Sequence, residues 1–315
     1  MHPILTSCFP LALGTAPFGT GIPRGTAFSI LDAFTDLGGN LIDTAAVYGM
    51  GVSEKTLGEW MRLRGNRHRV VISTKGGHPS LPDWSRRITE GDIRADMEAS
   101  LRYLGTDHVD IYFLHRDDES KPVESIMPIM DALVREGKTR LIGASNWTVA
   151  RINEANAFAK ANGMARFSVS QIFHNAALIN KEGVYDQTLV AMDETEHRGY
   201  AANGLPVMAY TAQAQGLFSH ICERGYEGLS EGMIRTYLNP STRDRAERIL
   251  SLSEETGLSP TAISLAYLLS DGSVKIFPIL GISRVERLTE ALEVFRLNQD
   301  QIAFLLGSPD LFCED

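Results

Sequence analysis

The chain is poor in cysteine: Cys8, Cys222 and Cys313 are its only three, far apart in 315 residues. An odd, scattered set offers no disulfide framework and fits a reducing compartment. None has CxxC or metal-ligand spacing, which argues against zinc and leaves each thiol a bystander. No run reaches the roughly 20 apolar residues of a membrane span. The N-terminus, MHPILTSCFPLALG, lacks the basic segment and the apolar stretch of roughly 7–15 residues that a signal peptide needs. Its Leu5-Thr6-Ser7-Cys8 only faintly resembles a lipoprotein box, and the segment reads as the lead into a first strand. Excess positive charge is missing too. A formal charge of -9 argues against nucleic acid or an anionic membrane as the main partner. A cytoplasmic location is the expectation. Low-complexity linkers and sequence repeats are also missing.

What is there is an ordinary soluble composition, 43% hydrophobic and 22% charged. A chain of this size buries a large core without staples. Short apolar runs alternate with glycine or polar turns and helical patterns. Strands are expected at 11–15, in NLIDT, and at 69–75, 109–115, 140–145, 167–171, 205–211 and 274–280. Helical patterns follow each, including one near 184–200, and 212–241 reads as irregular. The runs are continuous rather than alternating, as in strands buried on both faces. Strict β-then-α order implies a parallel sheet. Eight units predict a (β/α)8 TIM barrel of the α/β class, one domain over residues 1–315. An open dinucleotide-binding sheet would want GxGxxG after its first strand. The chain offers PFGTGIPRG, with Arg24 at the third glycine's place.

In a barrel, function gathers where strands end. Strand 2 ends at Asp43 with Tyr48 in the loop after it, strand 3 at Lys75 and strand 4 at His115. A phenol, with a pKa of about 10, is a poor acid at neutral pH. A nearby ammonium lowers that value, and a carboxylate keeps the ammonium charged. Lys75 and Asp43 are placed for those parts. An imidazole can orient a carbonyl. Together the four deliver a proton to an oxygen as negative charge grows there. Taken singly, each has a plainer reading: a strand-end acid, a rim tyrosine, a solvated lysine, a loop histidine.

The stretch LIDTAAVYGMGVSEKTLGEW, with these four positions, resembles the first motif of the aldo-keto reductase superfamily. The resemblance runs from about residue 10 to about 300. It implies that Asp43, Tyr48, Lys75 and His115 are catalytic. GASNW resembles the strand-5 motif, which implies that Ser145 and Asn146, with Gln171, hold a nicotinamide amide. Otherwise Ser145-Asn146 would cap the next helix. AYTAQAQGLF resembles the segment that implies Tyr210 on the nicotinamide ring and Thr211, Gly216 and Leu217 near the pyrophosphate. FPILGISRVERLTEAL resembles the adenosine-phosphate motif, implying Gly281, Ser283, Arg284, Arg287 and Glu290. A glycine turn before a helix N-terminus suits an anion without any analogy. Two arginines there favour NADPH, with NADH possible. Leu280 and Ala291 depart from the family's proline and asparagine, and Phe173-His174 from its acid and tyrosine.

The expected activity is NADPH-dependent reduction of an aldehyde or ketone. The alternatives are an NAD(P)-dependent sugar or alcohol dehydrogenase, and a cofactor-binding regulatory protein with slow turnover. A metal-dependent barrel hydrolase would need an HxH pair early on, and the chain has none there. Trp84 and Trp147, both just after strand ends, are candidates for the substrate wall. Loops 76–88, 116–122 and 212–241 are expected to choose the small-molecule carbonyl or alcohol substrate. Many members of the family are monomers, and a monomer is the expectation here.

Overall fold

The computed structural model describes residues 1–81 and 83–307. Eight strands follow in chain order: β1 (Ala12–Gly14), β2 (Leu41–Asp43), β3 (Val71–Gly76), β4 (Val109–Leu114), β5 (Thr139–Ser145), β6 (Phe167–Phe173), β7 (Val207–Tyr210) and β8 (Ile276–Gly281). They form a closed barrel whose registered pairs are parallel. This is the (β/α)8 architecture that the alternation predicts. No described helix is long and apolar enough to cross a membrane. By contacts, the chain divides into two compact units, residues 1–171 and those from Ile172 onward.

In the first unit the apolar runs become strands because both faces are covered. All six residues of β4 are buried, and each large apolar side chain so placed contributes about 1.5–3 kcal/mol. Registry pairs Gly14 with Asp43, Asp43 with Ser73 and Lys75 with Phe113. Thr89 caps the helix Glu90–Leu104 by accepting from the Asp92 amide at 3.1 Å. The helix Val149–Ala161 is capped by Thr148, not by Ser145 or Asn146, so those two are not explained as caps. The lead-in is not extended throughout: Pro3–Thr6 makes one helical turn. Cys8 donates to the Ile4 carbonyl, and burial pushes its thiol up to about 12, an inert bystander as expected. Cys313 lies outside the described residues.

In the second unit, two expectations need correction. Residues 184–193 are not helical: Asp193 caps a helix that starts only at Glu194, accepting from the Glu196 amide at 2.9 Å. Before it, Asp186 closes a turn on Thr188, and Ala191 bridges to Phe173. Short polar side chains here bond the backbone locally and compete with helix. Nor is 212–241 irregular. It holds the helices Leu217–Arg224 and Glu231–Tyr237, begun by left-handed Gly216 and by Ser230. Glycines and a serine look like loop in sequence, yet here they are helix starts.

Candidate active site

The strand ends of the first unit converge on Lys75. Its ammonium donates to Asp43 Oδ2 at 2.7 Å, to the Thr44 carbonyl at 2.8 Å and to Tyr48 Oη at 3.4 Å. The lysine is only 1% exposed. Asp43 is pinned from its other oxygen, accepting from Ser73 Oγ at 2.7 Å and from Gln171 Nε2 at 3.0 Å. Ser73 precedes Lys75 by one strand period, so both side chains share a face; that spacing is the signal by which Ser73 was findable. Tyr48 keeps part of its surface in solvent, but its hydroxyl meets the buried ammonium. Its ring stands edge-on to His115 at 6.1 Å.

The turn that presents Tyr48 is built on positive φ at Gly49, Met50 and Gly51. Of the described residues outside glycine, six adopt left-handed φ: Met50, Trp84, Asn146, Thr211, Ala214 and Gln215. Every one lies in a loop that follows a strand's C-terminal end. Such backbone costs about 1–3 kcal/mol per residue and persists where the surroundings enforce it.

Burial opposes the charge on Lys75, but Asp43 and then Tyr48 overcome it, and the ammonium is held above an ordinary lysine. For Tyr48 the balance differs from the sequence expectation. Burial pushes the phenol up, and this outweighs the lowering by Lys75, so the net shift is upward. Lys75 acts in the expected direction without winning. Burial, followed by Lys75 and Arg116, drives His115 well below the usual imidazole value. His115 is therefore neutral at pH 7, and its buried Nδ1 has no hydrogen-bond partner. Two neighbours were not foreseen: Arg116, buried and donating to the His115 carbonyl at 2.9 Å, and His78, whose ring meets His115 edge-on at 4.8 Å.

Ser145 and Asn146 are buried next to this set. Asn146 Nδ2 donates to the His115 carbonyl at 3.3 Å and to Ser145 Oγ at 3.1 Å. Trp84 is 47% exposed, with its ring 5.9 Å from His78. Trp147 is not on any wall. It is 0% exposed, packed on Phe167 at 5.3 Å with the Arg151 guanidinium over its ring. Its place after a strand end says nothing of its direction, which packing decides.

In the second unit, Tyr210 lies flat on Phe173 with centroids 5.5 Å apart. Thr211 accepts from Asn175 Nδ2 through its carbonyl. The Gly281 amide donates to Gln213 Oε1 at 2.8 Å. Gly216 is the left-handed residue that opens the helix beginning at Leu217. Arg284 directly precedes the helix Val285–Leu292, and Arg287 pairs with Glu290 at 2.8 Å. No described cluster of three His, Cys, Asp or Glu side chains is placed to hold a metal.

Each unit, taken by itself, carries donors that suit one part of a nicotinamide dinucleotide. A carboxamide needs both donors and acceptors, and Ser145, Asn146 and Gln171 supply hydroxyl and amide groups of both kinds. Phosphates need backbone amides and arginines, which residues 216–217 and 281–287 contain. The family model for the aldo/keto reductase family matches residues 10–305. Norsolorinic acid reductase A of Aspergillus parasiticus is 31% identical over 91% of this chain and 74% of its own. A putative aryl-alcohol dehydrogenase of Saccharomyces cerevisiae is 30% identical over 94% and 82%. An NADP(+) aryl-alcohol dehydrogenase of Phanerodontia chrysosporium is 28% identical over 92% and 77%. With barrel, strand-end chemistry and relatives in agreement along nearly its whole length, the chain belongs to the aldo/keto reductase family and is an NAD(P)H-dependent oxidoreductase.

Proposed function

We infer that the chain reduces an aromatic aldehyde or ketone to its alcohol, with Tyr48 as proton donor and NADPH as reductant. The observation that carries this reading is the buried ammonium of Lys75 bridging Asp43 and the Tyr48 hydroxyl. The cofactor, when bound, supplies the hydride. Tyr48, protonated at neutral pH as any phenol is and held so more firmly by burial, gives its proton to the carbonyl oxygen. The phenolate left behind lies beside a fixed ammonium, so charge is stabilised without reorganisation. Asp43 keeps that ammonium charged, and Ser73 keeps Asp43 oriented. Neutral His115 orients the carbonyl without adding a competing charge.

Ser145, Asn146 and Gln171 are assigned to the nicotinamide amide, and Tyr210 to its ring. Thr211, Gly216 and Leu217 are assigned to the pyrophosphate. Gly281, Ser283, Arg284, Arg287 and Glu290 are assigned to the adenosine phosphate end. The aromatic substrate class rests on the relatives' names and on the exposed Trp84 ring beside His78. The dehydrogenase names also favour a reverse reading, oxidation of an aryl alcohol with NADP+. The chain is read as one catalytic domain, monomeric and cytoplasmic.

The test follows nicotinamide absorbance with benzaldehyde and acetophenone derivatives against NADPH and NADH separately, and with benzyl alcohols against NADP+. Reduction by NADPH at rates well above NADH is expected. Firm NADPH binding without turnover of any carbonyl or alcohol would sink the reading in favour of a regulatory role.

A further inference from the structure

A cavity of about 510 Å³ opens in the first unit where β3, β4 and β5 begin. That is the end away from Lys75 and His115, which close β3 and β4. The volume falls among those of small-molecule sites, roughly 300–1,000 Å³. In barrels this face ordinarily serves stability, so its chemistry calls for a reason.

Three arginines line it, Arg62, Arg67 and Arg140, with His68 and His108, against one carboxylate, Asp110. This stands out in a chain with a formal charge of -9. Asp110 is buried and fully engaged. It accepts from the Ile72 amide at 2.9 Å and pairs with Arg67 at 2.9 Å and Arg140 at 3.2 Å. Arg67 is held further by the Val70 and His108 carbonyls, each at 3.1 Å. Two guanidinium groups are thus fixed beside the cavity in advance, and fixing them costs a ligand little entropy.

Arg62 and His68 have no hydrogen-bond or ion-pair partner among the described residues. His108 meets Asp107 through Nδ1 at 2.7 Å, while its buried Nε2 has none. Arg62 lies in the last turn of the helix Val52–Arg64, where a basic residue offsets the helix dipole. Arg67 and Arg140 answer the buried carboxylate of Asp110, which leaves exposed His68 without a structural task.

We propose that this cavity is a binding site for a small phosphate-bearing anion, separate from the catalytic set. Planar guanidinium groups match phosphate oxygens in pairs, and Met61, Val70 and Leu104 provide an apolar side for an attached group. Free pyrophosphate and a nucleoside diphosphate share this chemistry.

The experiment is calorimetric titration of the full chain, saturated with NADPH, with inorganic pyrophosphate in one arm and ADP in the other. The comparison protein carries Arg62→Glu and His68→Glu, both exposed positions. Saturable binding to the wild type, weakened at least tenfold in the variant while its melting temperature and aldehyde reduction stay unchanged, is the expected result. Tighter binding of ADP than of pyrophosphate identifies a nucleotide; equal affinities identify the phosphates alone. No saturable heat from either probe, or equal affinity in both proteins, overturns the proposal.

Discussion

At the scale of single residues, charge balance around Lys75 bears on folding and, in the proposed reaction, on chemistry. Asp43→Asn removes the counter-charge from a buried ammonium, and breaking such a pair costs about 3–5 kcal/mol. Urea unfolding should show a loss of that order; a loss under about 1 kcal/mol would mean that the pair is not buried in solution. The shifts also set a pH profile. In the proposed reaction Tyr48 acts in its protonated form, and its value lies above the ordinary phenol. In the same proposal His115 acts in its neutral form, and its value lies well below 6.5. The pH profile of kcat/KM for reduction should therefore be flat from about pH 6.5 to 9, with no acid limb at the ordinary histidine value. An inflection near 6.5 that disappears in His115→Gln would contradict the burial argument.

These residues were legible because a strand end announces itself: an apolar run stops at a polar side chain, and a barrel puts such ends together. The net direction of the Tyr48 shift was not legible. Lys75 can be named from sequence, but the desolvation that outweighs it comes from packing. Trp147 failed for the same reason.

At the scale of elements, the turn after β2 aims Tyr48, and Gly51 is its tightest point. Its φ is +85°, and an added Cβ would lie 2.4 Å from the Tyr103 ring. Gly51→Ala should lower stability by about 1–3 kcal/mol and reduce kcat more than it raises KM, since Tyr48 is displaced rather than the substrate. Unchanged kcat would show that the turn does not position the phenol. Strands and most helices were readable from period and caps. The misread segments, 184–193 and 212–241, share a cause: Asp, Ser and Gly serve both as loop formers and as helix starts, and only tertiary contact selects between the two.

At the scale of the whole molecule, alternation of eight apolar runs with helical patterns was enough to foresee a closed barrel, because continuous burial leaves few alternatives. The pH response of global stability was not foreseeable. Burial holds His174 at about 3, with Arg245 pushing the same way and Asp271 opposing. An unfolded histidine binds its proton below about 6.5. The unfolded chain thus takes up a proton that the folded one refuses, and stability falls as pH drops from about 6.5 toward 3. At pH 5 this amounts to about 2 kcal/mol. His174→Gln should remove that part of the loss between pH 7 and 5 in urea titrations. Parallel curves for variant and wild type would show that His174 is accessible to protons when folded.

The central claim is that the Tyr48 hydroxyl, poised against Lys75, is the acid of the reaction. It is tested most directly by Tyr48→Phe, measured for NADPH affinity by fluorescence and for reduction of an aromatic aldehyde by absorbance. General acid catalysis contributes about 10²–10⁴-fold, so turnover should fall by at least about a hundredfold while NADPH affinity stays within about twofold. Reduction at near wild-type rate with intact cofactor binding would contradict the account.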